Sequence, residues 1–170
     1  VVYQEIPICP QLTTAENIFL GRPLPRRAGL VDWREVHKRT DELFARLGVQ
    51  IPADVPASSL SVAQQQLVVI AQALSLESDL LIMDEPTSAL NRSETEHLFK
   101  VLRQLKAQGI TILYVSHRME EVFEIADSIS SLRDGRYIGT LPKVGATPDQ
   151  VVRMMVGREV TNLFPKQVHT

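Results

Sequence analysis

The chain has 170 residues, a length that fits one domain. Its 18 basic and 20 acidic side chains leave a formal net charge of −2, which gives no overall pull toward nucleic acid or anionic lipid. A composition of 44% hydrophobic and 22% charged residues excludes intrinsic disorder. The longest apolar runs, such as Leu67–Ala71 and Leu80–Met83, fall far short of the roughly 20 residues that span a bilayer. Cys9 is the single cysteine, so the chain holds neither an internal disulfide nor a thiolate metal cluster, and a reducing compartment fits. The opening residues carry no signal-peptide pattern.

Val1-Val2-Tyr3-Gln4 reads as though the chain starts inside a β-strand, and a fragment is the expectation. Ile6–Pro10 is extended. Thr13 or Thr14 is placed to cap a short helix running to Leu20, with Glu16 in its first turn. Pro23 and Pro25 make Gly21–Gly29 a loop. Asp32, with Glu35 three residues on, starts a helix as a capping-box variant. Trp33, Val36, Thr40, Leu43, Phe44 and Leu47 share its apolar face and Gly48 stops it, with Trp33 as a core or interface anchor. Ser61 caps the next helix, whose apolar positions are Leu67, Ile70, Ala71 and Leu74. Asp79–Asp84 is a buried strand in type, Ser93–Ala107 an amphipathic helix ended by Gly109, and Thr111–Ser116 a second strand. A short helix over Glu120–Ala126 precedes two strands, Asp127–Leu132 and Arg136–Leu141, joined through Asp134-Gly135 as a hairpin. Gln150–Val156 is the last helix, and 158–170 reads as a linker.

Strand, helix and strand across 79–116 form one βαβ unit, so both strands run parallel and end on one sheet edge. Ligands of open α/β sheets bind at that edge. The first strand ends in Asp84-Glu85 and the second in Ser116-His117. An Asp there can hold Mg²⁺, largely through water. The neighbouring Glu can deprotonate a water attacking a γ-phosphate, and the His can contact that phosphate. Taken alone, Asp-Glu after an apolar run reads as a solvated strand end, and Ser61 as a plain N-cap.

The run Leu80-Leu81-Ile82-Met83-Asp84-Glu85-Pro86-Thr87-Ser88-Ala89-Leu90-Asn91 resembles the Walker B motif and D-loop of ABC-type ATPases. Leu60-Ser61-Val62-Ala63-Gln64 is similar to their signature motif, Gln4 to the Q-loop glutamine, and His117 to the switch histidine. Ala15-Glu16-Asn17-Ile18-Phe19-Leu20-Gly21, the Gln64–Gln66 triplet, Asp32-Trp33 and Val156-Gly157-Arg158-Glu159 narrow the resemblance to ATP-binding subunits of bacterial monosaccharide importers of the ribose, xylose and galactose type. The implied fold is α/β: a partial P-loop NTPase parallel sheet of the RecA-like kind over 1–157, with a helical subdomain near 11–75. The implied activity is MgATP hydrolysis driving carbohydrate uptake. The resemblance makes Glu85 the general base, His117 the phosphate sensor, and Asp84 the Mg²⁺ ligand through water. Gln4 reaches the metal or the attacking water. Ser61, Val62, Ala63 and Gln64 face the nucleotide of an opposite cassette, and Ser88 and Asn91 cross that interface. The implied partners are a membrane permease, a second cassette and, indirectly, a periplasmic sugar-binding protein, with no nucleic acid. The implied location is the cytoplasmic face of the inner membrane. The alternatives are a non-transport ABC ATPase working on ribosomes or DNA, or an inactive truncated chain.

Val62-Ala63 stand where the signature usually has two glycines, and Asn91 where the D-loop usually has Asp. No Gly-Lys dipeptide occurs in the 170 residues, so they hold no GxxxxGK[ST] phosphate loop. The resemblance puts that loop before residue 1, and the isolated chain is expected to hold no tightly bound ATP or Mg²⁺. It also puts the loop's strand between Thr111–Ser116 and the strand starting near Asp127. Without that strand a slot lined by Ile112, Leu113, Val115, Ile129 and Leu132 opens, and self-association with a displaced 127–141 hairpin is the expectation.

Overall fold

The computed structural model describes residues 8–76 and 78–156. The expected first strand, Gln4 and the 158–170 linker therefore lie outside the described residues. The chain forms two compact units, one up to Ser116 and one from His117.

The first unit opens with helix α1, Thr14–Ile18, which ends two residues before the expected Leu20. Residues expected to be plain loop contain a small hairpin, β1 (Arg26–Arg27) paired with β2 (Leu30–Val31). Its two-residue turn places Ala28 at φ 51 and Gly29 at φ 85. That left-handed pair suits a hairpin, but Ala in the first position hides the usual Asn-Gly or Asp-Gly signal. Helix α2, Trp33–Leu47, buries Val36, Thr40, Phe44 and Leu47 and ends at Gly48, φ 69. The left-handed backbone selects glycine there, while a Cβ, 2.8 Å from Gln104 Oε1, would displace only that flexible amide. Asp32 caps α2, but the expected box is only half made, because the Glu35 carboxylate pairs with Arg39 at 2.8 Å instead. Trp33 is not a core anchor: it is 43% exposed and packs its ring against His37 at 6.4 Å.

A 3₁₀ turn, Ala57–Ser59, leads into helix α3, Val62–Leu74. Gln66 through Ala71 are all buried, because α1 and α2 pack on α3 and α4 packs on it as well. A continuous apolar run in place of a stripe is what a helix covered on several sides requires. Arg22 ends this arrangement. Its guanidinium donates to Gln72 O at 2.7 Å and to Ser75 Oγ, so a cation caps the carbonyl end of α3. Burial pushes its pKa down.

Strand β3 (Leu80–Asp84) lies parallel to β4 (Thr111–Val115), joined by helix α4 (Arg92–Ala107). The register sets Leu81 beside Ile112 and Met83 beside Tyr114. That face meets α4, where Phe99 and Tyr114 make an edge-on contact at 6.0 Å. The opposite face carries Leu80, 50% exposed, Leu113, 52%, and Val115, 45%.

The second unit holds α5 (Met119–Ile125), β5 (Ser128–Arg133), β6 (Arg136–Pro142) and α6 (Pro148–Val156). β5 and β6 form an antiparallel hairpin through Asp134, φ 50, and Gly135, φ 72, as their sequence predicts. They make their own two-stranded sheet, separate from β3–β4. Leu132 lies exposed, but Ile129 is not open to line a slot. The two-residue alternation of β5 turns Ile129 inward, where it is buried with Val122 and Val151. A Cβ at Gly139 would come within 3.2 Å of Met154 Cε of α6, a contact that the methionine methyl must give way to by a few tenths of an ångström.

Candidate functional site

The carboxyl end of β3 is built by one hydrogen bond and one strained residue. The Glu85 N–H donates to Val115 O at 2.9 Å, which carries the parallel ladder one residue past Asp84. At Glu85 φ is 44, left-handed and unfavourable for a residue with a Cβ. The chain therefore leaves the sheet abruptly there. Ser88 N–H then closes a turn on Glu85 O at 3.1 Å, and Leu90 N–H closes the next on Thr87 O at 3.1 Å. Thr87 is buried while Asp84 and Ser88 face solvent. Pro86 hints at this turn in the sequence by barring Glu85 from helical backbone, but it favours extended over left-handed geometry, so the strain had no clear signal.

Asn91 closes the segment as the N-cap of α4. Its Oδ1 accepts the Glu94 N–H at 3.0 Å, and Glu94 Oε2 accepts the Asn91 N–H at 2.9 Å. An Asn performs this cap as well as an Asp would. Ser61 and Gln64 make the same reciprocal box at the start of α3: Ser61 Oγ accepts Gln64 N–H at 3.2 Å, and Gln64 Oε1 accepts Ser61 N–H at 3.0 Å. Val62 is 41% exposed, so its side chain projects from the first turn toward solvent. Two sequence-predicted groups thus stand at element ends: Asp84, Glu85, Ser88 and Asn91 after β3, and Ser61–Gln64 at the head of α3. His117 is exposed and opens the second unit, two residues after β4.

Two glutamine-type contacts had no sequence reading. Asn17 knits residues 9–13 to α1, and Gln65 reaches back to carbonyls before Ser61. Among the described residues, no cluster of three His, Cys, Asp or Glu side chains is arranged to hold a metal. No helix among them is long and apolar enough to cross a membrane. A shallow hollow of about 660 Å³ runs beside α2, lined by Arg34, His37, Lys38, Asp41, Glu42 and Ala45, none of them a site residue.

The ABC transporter family profile matches residues 1–88. A ribose/galactose/methyl galactoside import ATP-binding protein of Rhizobium johnstonii is 52% identical over 98% of this chain and 33% of its own length. A protein of the same description from Burkholderia cenocepacia is 49% identical, over 98% of this chain and 32% of its own length. The chain thus spans about a third of the curated relatives it matches. Among solved structures, CbiO1 of Clostridium perfringens, part of the ABC transporter complex CbiONQ, aligns with a TM-score of 0.71 at 26% identity, covering 89% of this chain and 59% of that one. A dimeric ATP-binding cassette bound to ADP and Pi aligns with a TM-score of 0.66 at 26% identity, covering 84% and 61%. With an α/β core, a parallel strand pair ending in Asp84-Glu85 and a profile match over half its length, this chain belongs to the ABC transporter family.

Proposed function

We propose that this chain is the segment of a sugar importer's ATP-hydrolysing subunit that carries its catalytic wall and its signature turn. The observation that carries the reading is Glu85, pinned to β4 and turned out of the sheet beside Asp84 at the carboxyl edge. A carboxylate fixed there can take the proton of a water attacking a γ-phosphate. Asp84, exposed at the strand end, is the hard oxygen donor that a nucleotide's Mg²⁺ takes through water. Such an ion, when bound, neutralises charge on the phosphate oxygens. His117 contacts the γ-phosphate as its sensor, and Gln4 orients the water. Ser61–Gln64 stand at the head of α3, where the Val62 and Ala63 N–H groups lie outside the capping box, and offer an anion site to a nucleotide held by a second cassette. Ser88 and Asn91 complete that interface.

The names of the relatives, sugar import ATP-binding proteins, support carbohydrate uptake. The partners are then a membrane permease and, indirectly, a periplasmic sugar-binding protein. On this reading the subunit sits peripherally on the cytoplasmic face of the inner membrane. The 170 residues contain no GxxxxGK sequence, so by themselves they bind MgATP weakly and do not turn it over. The bare face of β3–β4 favours self-association of this polypeptide in isolation. Phosphate release from an assembled two-cassette ATPase tests the proposal. Glu85→Gln is expected to retain ATP and lose about 100-fold or more in turnover, and His117→Ala to lose turnover as well. Wild-type turnover in Glu85→Gln refutes the assignment.

A further inference from the structure

One continuous polar frame joins the segment 9–13 to the head of α3. Asn17 is 3% exposed, and its side chain is fully engaged. Its Oδ1 accepts the Cys9 N–H at 2.7 Å, while Nδ2 donates to Cys9 O at 3.0 Å, Leu12 O at 3.2 Å and Thr13 O at 3.0 Å. The same Leu12 O accepts the Ala57 N–H at 2.9 Å, and Pro10 O accepts the Ser58 N–H at 3.0 Å. From the other side, Gln65 Nε2 donates to Ala57 O at 3.1 Å and to Leu60 O at 3.2 Å. Leu60 directly precedes the Ser61–Gln64 box. Leu12 O is held from both flanks, by Asn17 Nδ2 and the Ala57 N–H, and Ala57 passes the connection on through its own carbonyl to Gln65, so a shift at one end strains bonds at the other.

We propose that Asn17 and Gln65 are positioning residues that lock the 9–13 segment to the Leu60–Gln64 turn, so that displacing one displaces the other. The role given to that turn rests on the proposed function, but the mechanical coupling does not require nucleotide. Its consequence is that a force reaching residues 9–13 is delivered to the anion-binding end of α3 by side-chain amides. Both amides act mainly as donors. A carboxylate at position 65 would face two carbonyls with no proton to give, while a protonated carboxyl restores one donor.

Backbone amide exchange by NMR on the whole chain tests this. In Gln65→Glu at neutral pH, protection at Leu60, Gln64, Ala57 and Ser58 should fall about tenfold, with the α2 amides unchanged. It should recover as pH falls through the introduced carboxyl's pKa, which the facing carbonyls raise above about 4.3. Asn17→Asp should loosen Leu60 and Gln64 from the opposite end. Wild-type protection at Leu60 and Gln64 in Asn17→Asp overturns the proposal. So does a loss in Gln65→Glu that acid does not restore, including wholesale unfolding that persists at low pH. Failure of the assembled ATPase to hydrolyse ATP would leave these exchange results untouched and count against the proposed function alone.

Discussion

Gln64, Gln65 and Gln66 are identical in sequence and make opposite contributions to stability. Gln66 is 3% exposed, and its Nε2 finds no acceptor among the described residues. A buried amide left unpaired costs about 1–3 kcal/mol. Methionine has nearly the length and helix propensity of glutamine, so Gln66→Met removes that cost without changing the backbone preference. The expected gain is about 1–2 kcal/mol, or roughly 2–4 °C in Tm per kcal/mol for a chain of this size. Gln65→Met is the control one residue away. It removes donors at 3.1 and 3.2 Å from two carbonyls and is expected to lose about 1–2 kcal/mol. Gln64→Met loses only the reciprocal half of an N-cap box, about 0.5–1 kcal/mol. Urea denaturation followed by Trp33 fluorescence measures all three at constant m. Equal losses in Gln66→Met and Gln65→Met would refute the reasoning, because they would mean that Gln66 Nε2 is satisfied.

Leu102, fully buried on α4, should lose about 2–5 kcal/mol on Leu102→Ala, read as a fall in the urea midpoint. Ser131, whose buried Oγ has no partner among the described residues, should tolerate Ser131→Ala with no loss and a gain of up to about 1 kcal/mol in the same assay. Glu85→Asn replaces a residue strained at φ 44 with one that accepts left-handed backbone; thermal melting should show a gain of about 1 kcal/mol while phosphate release by the assembled ATPase is lost.

Elements with strong local signals were legible in the sequence. The α2 stop at Gly48, the Ser61 and Thr13 caps, the β3–α4–β4 unit and the Asp134-Gly135 hairpin each rest on a residue whose own chemistry dictates the geometry. The β1–β2 hairpin was hidden because Ala28 adopts left-handed backbone only under the constraint of its neighbours. Ile129 was misplaced, and of the two readings of Trp33 the core anchor does not hold. Apolar character marks a side chain for burial but not the surface that buries it: Trp33 stays 43% exposed, while Ile129 is claimed by Val122 and Val151. At the site, residue types and spacing singled out Asp84, Glu85 and the Ser61 cap, while Asn91 came from the resemblance to the ABC-type D-loop. The left-handed turn at Glu85 is tied to a long-range hydrogen bond to Val115, which no local pattern encodes, while Gln65 reaches back only eight and five residues, to Ala57 and Leu60, through an amide whose direction its helical position does not reveal.

Glu85 as the proton acceptor in ATP hydrolysis is tested most directly by a single-turnover quench experiment on the assembled two-cassette ATPase. ATP prebound to the Glu85→Gln protein should stay bound and be cleaved at least about 100-fold more slowly than by the unsubstituted protein. Cleavage of bound ATP at the unsubstituted rate would contradict the account, since an amide at that position cannot accept the proton of the attacking water.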